Sequence, residues 1–370
     1  MSNLRETLSA FASDLPLESA RTIPACWYHD TELASLERRA VFGATWQFAG
    51  RAALVAEPGC FFTTEIAGEP ILVVRDGEGV LRAFYNVCRH RAAPVVTEAT
   101  GKASRLRCRY HGWTYDLAGC LRGTPEFDGV LDFCREEQGL RALAVAEWGP
   151  FIWVHGGESP PPLIDYLAPM PQRLTTALSS LRFVARREYE LACNWKVYVD
   201  NFLDGGYHVN TVHPGLASVL DYKHYHTELH PYTNVQISPL KPSGPADVAS
   251  VRSGDAALYW WVFPNFMLNL YQGVMDTNLV LPLGPQRCRV VFDFWFADTE
   301  GTAAEIFMRE SMQVAHQVQL EDMGICEEVQ RGLGSRSFDT GRFSVRREAG
   351  GYHFHQLLGR QLRLQDHPEA

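Results

Sequence analysis

Cys88-Arg-His90 and, seventeen residues further on, Cys108-Arg-Tyr-His111 set two Cys-His pairs across a loop-sized gap. Two thiolates and two imidazoles suit a structural zinc ion or a [2Fe–2S] cluster in which two Cys hold one iron and two His the other. Ligand order separates these. Zinc sites of this composition pair Cys with Cys and His with His, as C-x2–4-C then H-x3–5-H. Here each short hairpin carries one of each, so each loop gives a sulfur to one iron and a nitrogen to the other. Imidazole ligation raises the potential of such a cluster to roughly −150 to +300 mV, against about −400 mV for all-Cys plant-type clusters. The pattern favours an electron-transfer centre.

The chain around these pairs has 370 residues, 46% of them hydrophobic, enough for two domains with cores. A net charge of −9 and the absence of long basic runs argue against a nucleic-acid partner. Nine Cys are too few for a disulfide scaffold in a chain of this size. Those outside the motif (Cys26, Cys60, Cys120, Cys134, Cys193, Cys288, Cys326) are scattered, mostly among apolar neighbours, and are expected to be buried free thiols of a reducing compartment. The N-terminus lacks a basic region followed by an apolar one, and no run reaches membrane-spanning length, so the expected location is cytoplasmic, with no membrane contact.

Residues 1–41 are expected to be helical, with Asp30 as an N-cap ahead of Leu33, Leu36 and Ala40 at helical spacing. From residue 42 to 157 the chain changes to short strands: Gln47–Ala53, Cys60–Ile66, Pro70–Arg75, Val80–Asn86, Trp113–Asp116 and Phe151–His155. Asp76-Gly77 and Glu78-Gly79 mark a hairpin turn. The Cys-His pairs lie inside this all-β section. Gly156-Gly-Glu-Ser-Pro-Pro-Pro162 reads as a linker. In residues 158–370, strands at Phe183–Leu191, Thr233–Leu240, Ala257–Phe263 and Cys288–Phe296 alternate with helical zones at Trp195–His213 and Ala303–Leu333. Helices against an antiparallel sheet make an α+β domain.

The second chemical signal lies in Asp200-Asn-Phe-Leu-Asp204-Gly-Gly-Tyr-His208 and runs on to His213-Pro214. Residues five apart on a straight helix differ in direction by about 140°, so His208 and His213 converge only if the helix breaks. Gly205-Gly206 before the first and Pro214 after the second supply such breaks. Two His with one carboxylate form the facial triad of a mononuclear Fe(II) site, with positions left open for O2 and substrate. Adjacent acids compete for the third place. Val318, Gln319, Ile325 and Cys326 share a helical face with Asp322, whereas Gln317 and Glu328 share one with Glu321. Asp322 is thus the candidate ligand, and Glu321 is expected to be a solvated charge.

In Cys88-Arg-His-Arg-Ala-Ala-Pro94 and Cys108-Arg-Tyr-His-Gly-Trp113, and from Trp27-Tyr-His-Asp30 to Asp339-Thr-Gly-Arg342, the chain resembles the α subunit of Rieske non-haem iron oxygenases, the aromatic-ring-hydroxylating dioxygenase superfamily. Residues 200–218, 264–285, 319–333 and His353-Phe-His355 look most like choline monooxygenase and other monooxygenases of quaternary ammonium compounds. The resemblance implies an N-terminal all-β Rieske domain with its [2Fe–2S] cluster on Cys88, His90, Cys108 and His111. A helix-grip catalytic domain would follow, holding iron on His208, His213 and Asp322 with Asn201 beside it. It further implies O2 as co-substrate, electrons from an NAD(P)H-dependent reductase or through a ferredoxin, and a homotrimer. Many members carry an acid three positions before the first iron-binding His. Here Gly205 holds that position; Asp204, four before His208, is the first candidate to replace it, with Asp200 or a water as alternatives.

A quaternary ammonium substrate favours an aromatic cage, as cation–π contacts contribute about 2 kcal/mol when desolvated. Strand alternation puts Tyr259, Trp261 and Phe263 on one face and Met267, Asn269 and Tyr271 on another. These six are the candidate pocket, with ordinary sheet core as the alternative for each. His353 and His355 alternate as on a strand and are read as structural or pocket-lining. The functions left open are monooxygenation of choline, glycine betaine or a carnitine-like compound, hydroxylation or demethylation of an aromatic or neutral compound, and a non-catalytic Rieske electron carrier. The second metal motif opposes the last.

Overall fold

In the computed structural model, which describes residues 2–241 and 246–366, the chain forms two compact units. One comprises residues 42–165, the other residues 1–41 and 166–370. The first is built from ten strands: β1 (Gln47–Arg51), β2 (Cys60–Ile66), β3 (Glu69–Arg75), β4 (Leu81–Tyr85), β5 (Thr100–Lys102), β6 (Leu106–Arg107), β7 (Thr114–Tyr115), β8 (Leu121–Gly123), β9 (Ala142–Trp148) and β10 (Phe151–His155). Seven form an antiparallel sheet in the order β1-β10-β9-β4-β3-β2-β5, and β6-β7-β8 form a smaller one. Phe61, Leu72, Val74, Phe84, Trp113 and Tyr115 pack between them as a core that reaches Cys88 and Cys108. The turn at Asp76 is held by its carboxylate, which accepts from the backbone N–H of Glu78 and Val80.

The second unit carries β11 (Arg182–Leu191), β12 (His226–Leu229), β13 (Thr233–Pro239), β14 (Ala256–Val262), β15 (Phe266–Tyr271), β16 (Val274–Gly284) and β17 (Arg287–Phe296). They make one antiparallel sheet in the order β11-β17-β16-β15-β14-β13-β12. The long helix Thr302–Leu333 is tied to β11, where Arg187 donates to the Met312 carbonyl and Tyr189 meets His316. Trp195–Phe202 forms a second helix, capped by the Asn194 side chain on the Lys196 N–H. Sheet plus helices give the α+β class expected from the sequence.

Two segments differ from expectation. Among the described residues of 1–41, α-helices lie at Ser2–Ser9 and Thr31–Glu37, with a single 3-10 turn at Ala25–Tyr28 and a wide turn at Arg38–Phe42. Pro16 and Pro24 interrupt what lies between. Asp30 does cap its helix, accepting from the N–H of Glu32 and Leu33. His353 and His355 lie on the helix Ala349–Asp366, not on a strand. Two alternating residues are too few to fix a period, and buried Tyr352, His355, Leu358 and Leu362 recur at helical spacing. Of the Cys outside the motif, Cys193, Cys288 and Cys326 are buried, whereas Cys26, Cys120 and Cys134 are exposed.

Candidate metal centres

The two Cys-His loops share one backbone design. The N–H of Cys88 donates to the Ala93 carbonyl and that of Ala92 returns to the Cys88 carbonyl. Likewise Cys108 N–H donates to Trp113 and Gly112 N–H returns to Cys108. The fourth residue after each Cys takes a left-handed turn, at φ 58° for Ala92 and 74° for Gly112. Matching turns bring His90 and His111 together, with ring centroids 4.6 Å apart, although one follows its Cys by two residues and the other by three. His90 stacks on Trp113 at 4.8 Å, and its Nδ1 is buried without a hydrogen-bond partner. An orphaned imidazole nitrogen beside two buried thiols is the donor set a mixed-ligand [2Fe–2S] cluster requires. Tyr115 accepts from the Arg89 N–H and lies 3.4 Å from Cys88 Sγ, so its O–H is left to donate to the sulfur.

In the second unit the helix ending at Phe202 is broken by Gly205 and Gly206, at φ 69° and 71°. A Cβ at Gly205 would lie 2.0 Å from the Arg347 carbonyl oxygen, so both conformation and space demand glycine. The break turns the chain so that Asp204, despite its extra residue of separation, accepts from His208 N–H at 2.9 Å and pairs with His208 Nδ1 at 2.6 Å. His213 closes the following short helix, Val209–Val212. Asp322 comes from the long helix, and ligand atoms of His208, His213 and Asp322 all lie within 4.8 Å of one another.

The arrangement of this group suits a cation. Asp204 and Glu321 lie 2.6 and 2.7 Å from the two His Nδ1 atoms, the geometry that favours Nδ1–H tautomers and turns both Nε2 lone pairs toward a shared ion. These face each other at 3.0 Å, with Asp322 Oδ1 3.1 Å from His213 Nε2 and 3.8 Å from that of His208. Three acceptors at such distances repel unless a positive charge sits among them. The same field acts on His213, where burial lowers the pKa but Asp322 and Glu321 outweigh it and hold it above the ordinary value. Asn201 donates to Asp322 Oδ1 at 2.7 Å and fixes that carboxylate. Glu321, expected as a solvated charge, instead pairs with the His213 imidazole. Helical spacing hid this, because the partner loop is distant in sequence and only the chain break brings it there.

A cavity of about 110 Å³ opens onto this group. Of the six candidate pocket residues, Tyr259, Asn269 and Tyr271 line it. Trp261, Phe263 and Met267 do not. Trp261 packs on Phe263 at 5.9 Å and on Phe354 of the final helix at 5.7 Å, Phe263 lies beyond the end of β14, and Met267 is fully buried opposite Trp261. Alternation identifies a strand face but not where a covering helix ends. Tyr225, absent from the sequence reading, stacks on Tyr259 at 6.3 Å and completes a three-tyrosine wall with Tyr271. Burial pushes the Tyr225 and Tyr259 hydroxyls well above their ordinary pKa, so both stay neutral.

Comparison with known proteins agrees with both centres. Residues 45–134 match the Rieske [2Fe-2S] domain family, and residues 178–364 match the ring hydroxylating alpha subunit (catalytic domain) family. The chain is 39% identical to the chloroplastic choline monooxygenase of Arabidopsis thaliana, covering 98% of this chain and 88% of that one. It is 30% identical to the carnitine monooxygenase oxygenase subunit of Acinetobacter pittii, covering 91% and 92%. A quaternary ammonium Rieske monooxygenase, studied for carnitine oxidation and inter-subunit electron transfer, superimposes with a TM-score of 0.83 at 27% identity, over 95% and 98% of the two chains. Among the described residues no helix is long and apolar enough to cross a membrane. The chain belongs to the Rieske oxygenase α-subunit family, enzymes that work with a [2Fe–2S] cluster, a mononuclear non-haem iron and O2.

Proposed function

We propose that this oxygenase inserts one oxygen atom into a small trimethylammonium compound such as choline, glycine betaine or a carnitine-like molecule. The observation that carries the reading is the three-tyrosine cavity opening onto His208, His213 and Asp322. Residues 42–157 act as the cluster domain, with Cys88, His90, Cys108 and His111 as ligands. Residues 158–370 act as the catalytic domain, with residues 1–41 packed on it.

Iron bound at His208, His213 and Asp322 supplies the reductive activation of O2. The surrounding side chains keep it competent. Asp204 and Glu321 hold the His tautomers that present Nε2, and Asn201 fixes the Asp322 carboxylate. Tyr225, Tyr259 and Tyr271 exclude water and offer ring faces to a cation that cannot donate hydrogen bonds. Overall, a substrate C–H, O2, two electrons and two protons give C–OH and water. Hydroxylation of an alcohol carbon yields a gem-diol, which loses water to an aldehyde; hydroxylation beside nitrogen leads to C–N cleavage.

The electrons come from an NAD(P)H-dependent reductase, directly or through a ferredoxin. A homotrimer passing electrons between subunits fits the behaviour described for the quaternary ammonium relative. A cytoplasmic location fits free thiols at the cysteines outside the cluster motif. The test is O2 uptake and NADH oxidation with a reductase over choline, betaines, carnitine and aromatic acids, with products identified by mass. Turnover of a trimethylammonium compound with a hydroxylated or demethylated product supports the reading. Turnover of aromatic acids alone replaces it with the neutral-substrate alternative.

A further inference from the structure

The cavity holds polar groups that the tyrosine wall and the metal triad leave unexplained. Across β13 to β16 the register aligns Gln236, Tyr259, Asn269 and Asp276 in one row of the sheet. Asp276 is only 4% exposed, and its Oδ2 accepts from Asn269 at 2.7 Å and from Asn278 at 3.1 Å. No donor among the described residues reaches its Oδ1. Arg252, also lining the cavity, forms no ion pair with it. The guanidinium instead lies over the Tyr271 ring at 4.9 Å and donates to Ser311 Oγ, the Ser311 carbonyl and the Val251 carbonyl. Asp276 is thus a buried carboxylate without an ion pair. Burial pushes its pKa up, against the field of the Arg252 guanidinium and the hydrogen bonds from Asn269 and Asn278, which lower it.

A second unmet demand lies one helical turn before Asp322. Gln319 is 1% exposed and lines the same cavity. Tyr198 donates to its Oε1 at 2.6 Å, which fixes the amide, while Nε2 is buried without a partner. A buried amide N–H left unpaired calls for an oxygen acceptor. The cavity therefore asks for a cation at the sheet row and an oxygen at the long helix. A zwitterion's carboxylate would meet Asp204, Asp276 and Asp322, with Arg252 already engaged by Ser311 and Val251.

We propose that Asp276 selects substrates for positive charge and Gln319 receives the substrate oxygen, so that the preferred substrate is a trimethylammonium alcohol over a zwitterionic betaine. This rests on the quaternary ammonium reading above. The arrangement directs the ammonium to Asp276, Tyr259 and Tyr271 and brings the alcohol carbon toward Asp322.

The test compares choline, its neutral carbon isostere 3,3-dimethylbutan-1-ol, glycine betaine and carnitine in O2 uptake by the holoenzyme with its reductase. Variants are matched for cluster absorbance and iron content. Wild type is expected to favour choline over the isostere, and Asp276→Asn to lower kcat/KM for choline about a hundredfold, mainly through KM. The isostere should change by less than about threefold in that variant, and Asp276→Glu should recover part of the choline preference. Gln319→Leu should lower kcat for choline more than it raises KM. An Asp276→Asn enzyme with an unchanged choline-to-isostere ratio overturns the proposal, as does a wild type that prefers betaine or carnitine. The wild-type ratio needs no variant, and a choline preference below about tenfold overturns charge selection by itself. If wild type turns over no trimethylammonium compound, the functional reading falls first.

Discussion

Glu321 Oε2 lies 2.7 Å from His213 Nδ1, while its neighbour Asp322 faces the other nitrogen of the same imidazole at 3.1 Å. Consecutive residues of one helix thus serve the same ring, one as candidate ligand and one as its orienting partner. Removing the partner with Glu321→Ala is expected to weaken iron binding about 10- to 100-fold. Cluster absorbance should not change, as Glu321 belongs to the other unit. Iron retained after dialysis against a chelator measures the effect. Equal retention by the variant and wild type would remove Glu321 from the centre.

Gly205→Ala places a methyl group where the Arg347 carbonyl already stands and forces a left-handed φ on a residue that resists it. The expected loss is about 2 kcal/mol or more of stability, together with iron, because Asp204 and His208 move with the turn. Gly324→Ala is the control. Its Cβ would meet nothing within 4 Å in the long helix, and the change should stabilise by about 0.5–1 kcal/mol. Denaturant unfolding and iron content distinguish the pair.

The strands at Cys60–Ile66 and Phe151–His155, the long helix and both metal motifs were legible because their signal is local: alternation, helical period and ligand spacing. The pairing of Asp204 with His208 was legible, since the two glycines after Asp204 announce a bent chain. Glu321, Tyr225 and Asp276 were not. Each acts on a residue brought near only by the tertiary fold, and one-dimensional periodicity reports the face of an element but not what covers it. Trp261 shows the same limit in reverse. It occupies the expected strand face, yet Phe354 of the final helix packs on it.

Tyr115→Phe removes the hydroxyl that lies 3.4 Å from Cys88 Sγ. A hydrogen bond to a cluster sulfur stabilises the reduced, more negative state. The variant is therefore expected to keep its cluster but with a lower midpoint potential, measured by redox titration of the visible spectrum. Slower cluster reduction should accompany it. An unshifted potential would assign Tyr115 to packing and the Arg89 N–H alone.

His353 gives the second unit an acid-sensitive element. Burial, reinforced by Arg360 and His230, lowers its pKa from 6.5 to about 4. Between those values the unfolded chain binds a proton that the folded chain does not. Its contribution is therefore fully present above about pH 6.5 and lost as pH falls toward 4, by about 3 kcal/mol in all. His353→Gln should flatten the stability profile over that window, whatever its effect at neutral pH. Unfolding midpoints at pH 4.5 and 7.5, compared with wild type, measure the difference.

Lys196 and Glu37 form an ion pair at 2.6 Å, with side chains only 1% and 3% exposed, joining the residue 1–41 segment to the Trp195–Phe202 helix that leads into the iron site. Lys196→Met leaves a buried carboxylate without its cation and is expected to cost about 3–5 kcal/mol. Adding Glu37→Leu removes that stranded charge, so the double variant should be more stable than the single one. Recovery will be incomplete, because Glu37 also accepts the Trp195 indole N–H at 2.9 Å. Removing that acceptor costs about 1–3 kcal/mol. Trp195→Phe on top of the double variant should return part of it. A double variant no more stable than Lys196→Met would mean that water reaches Glu37 and that the pair is less isolated than its burial indicates.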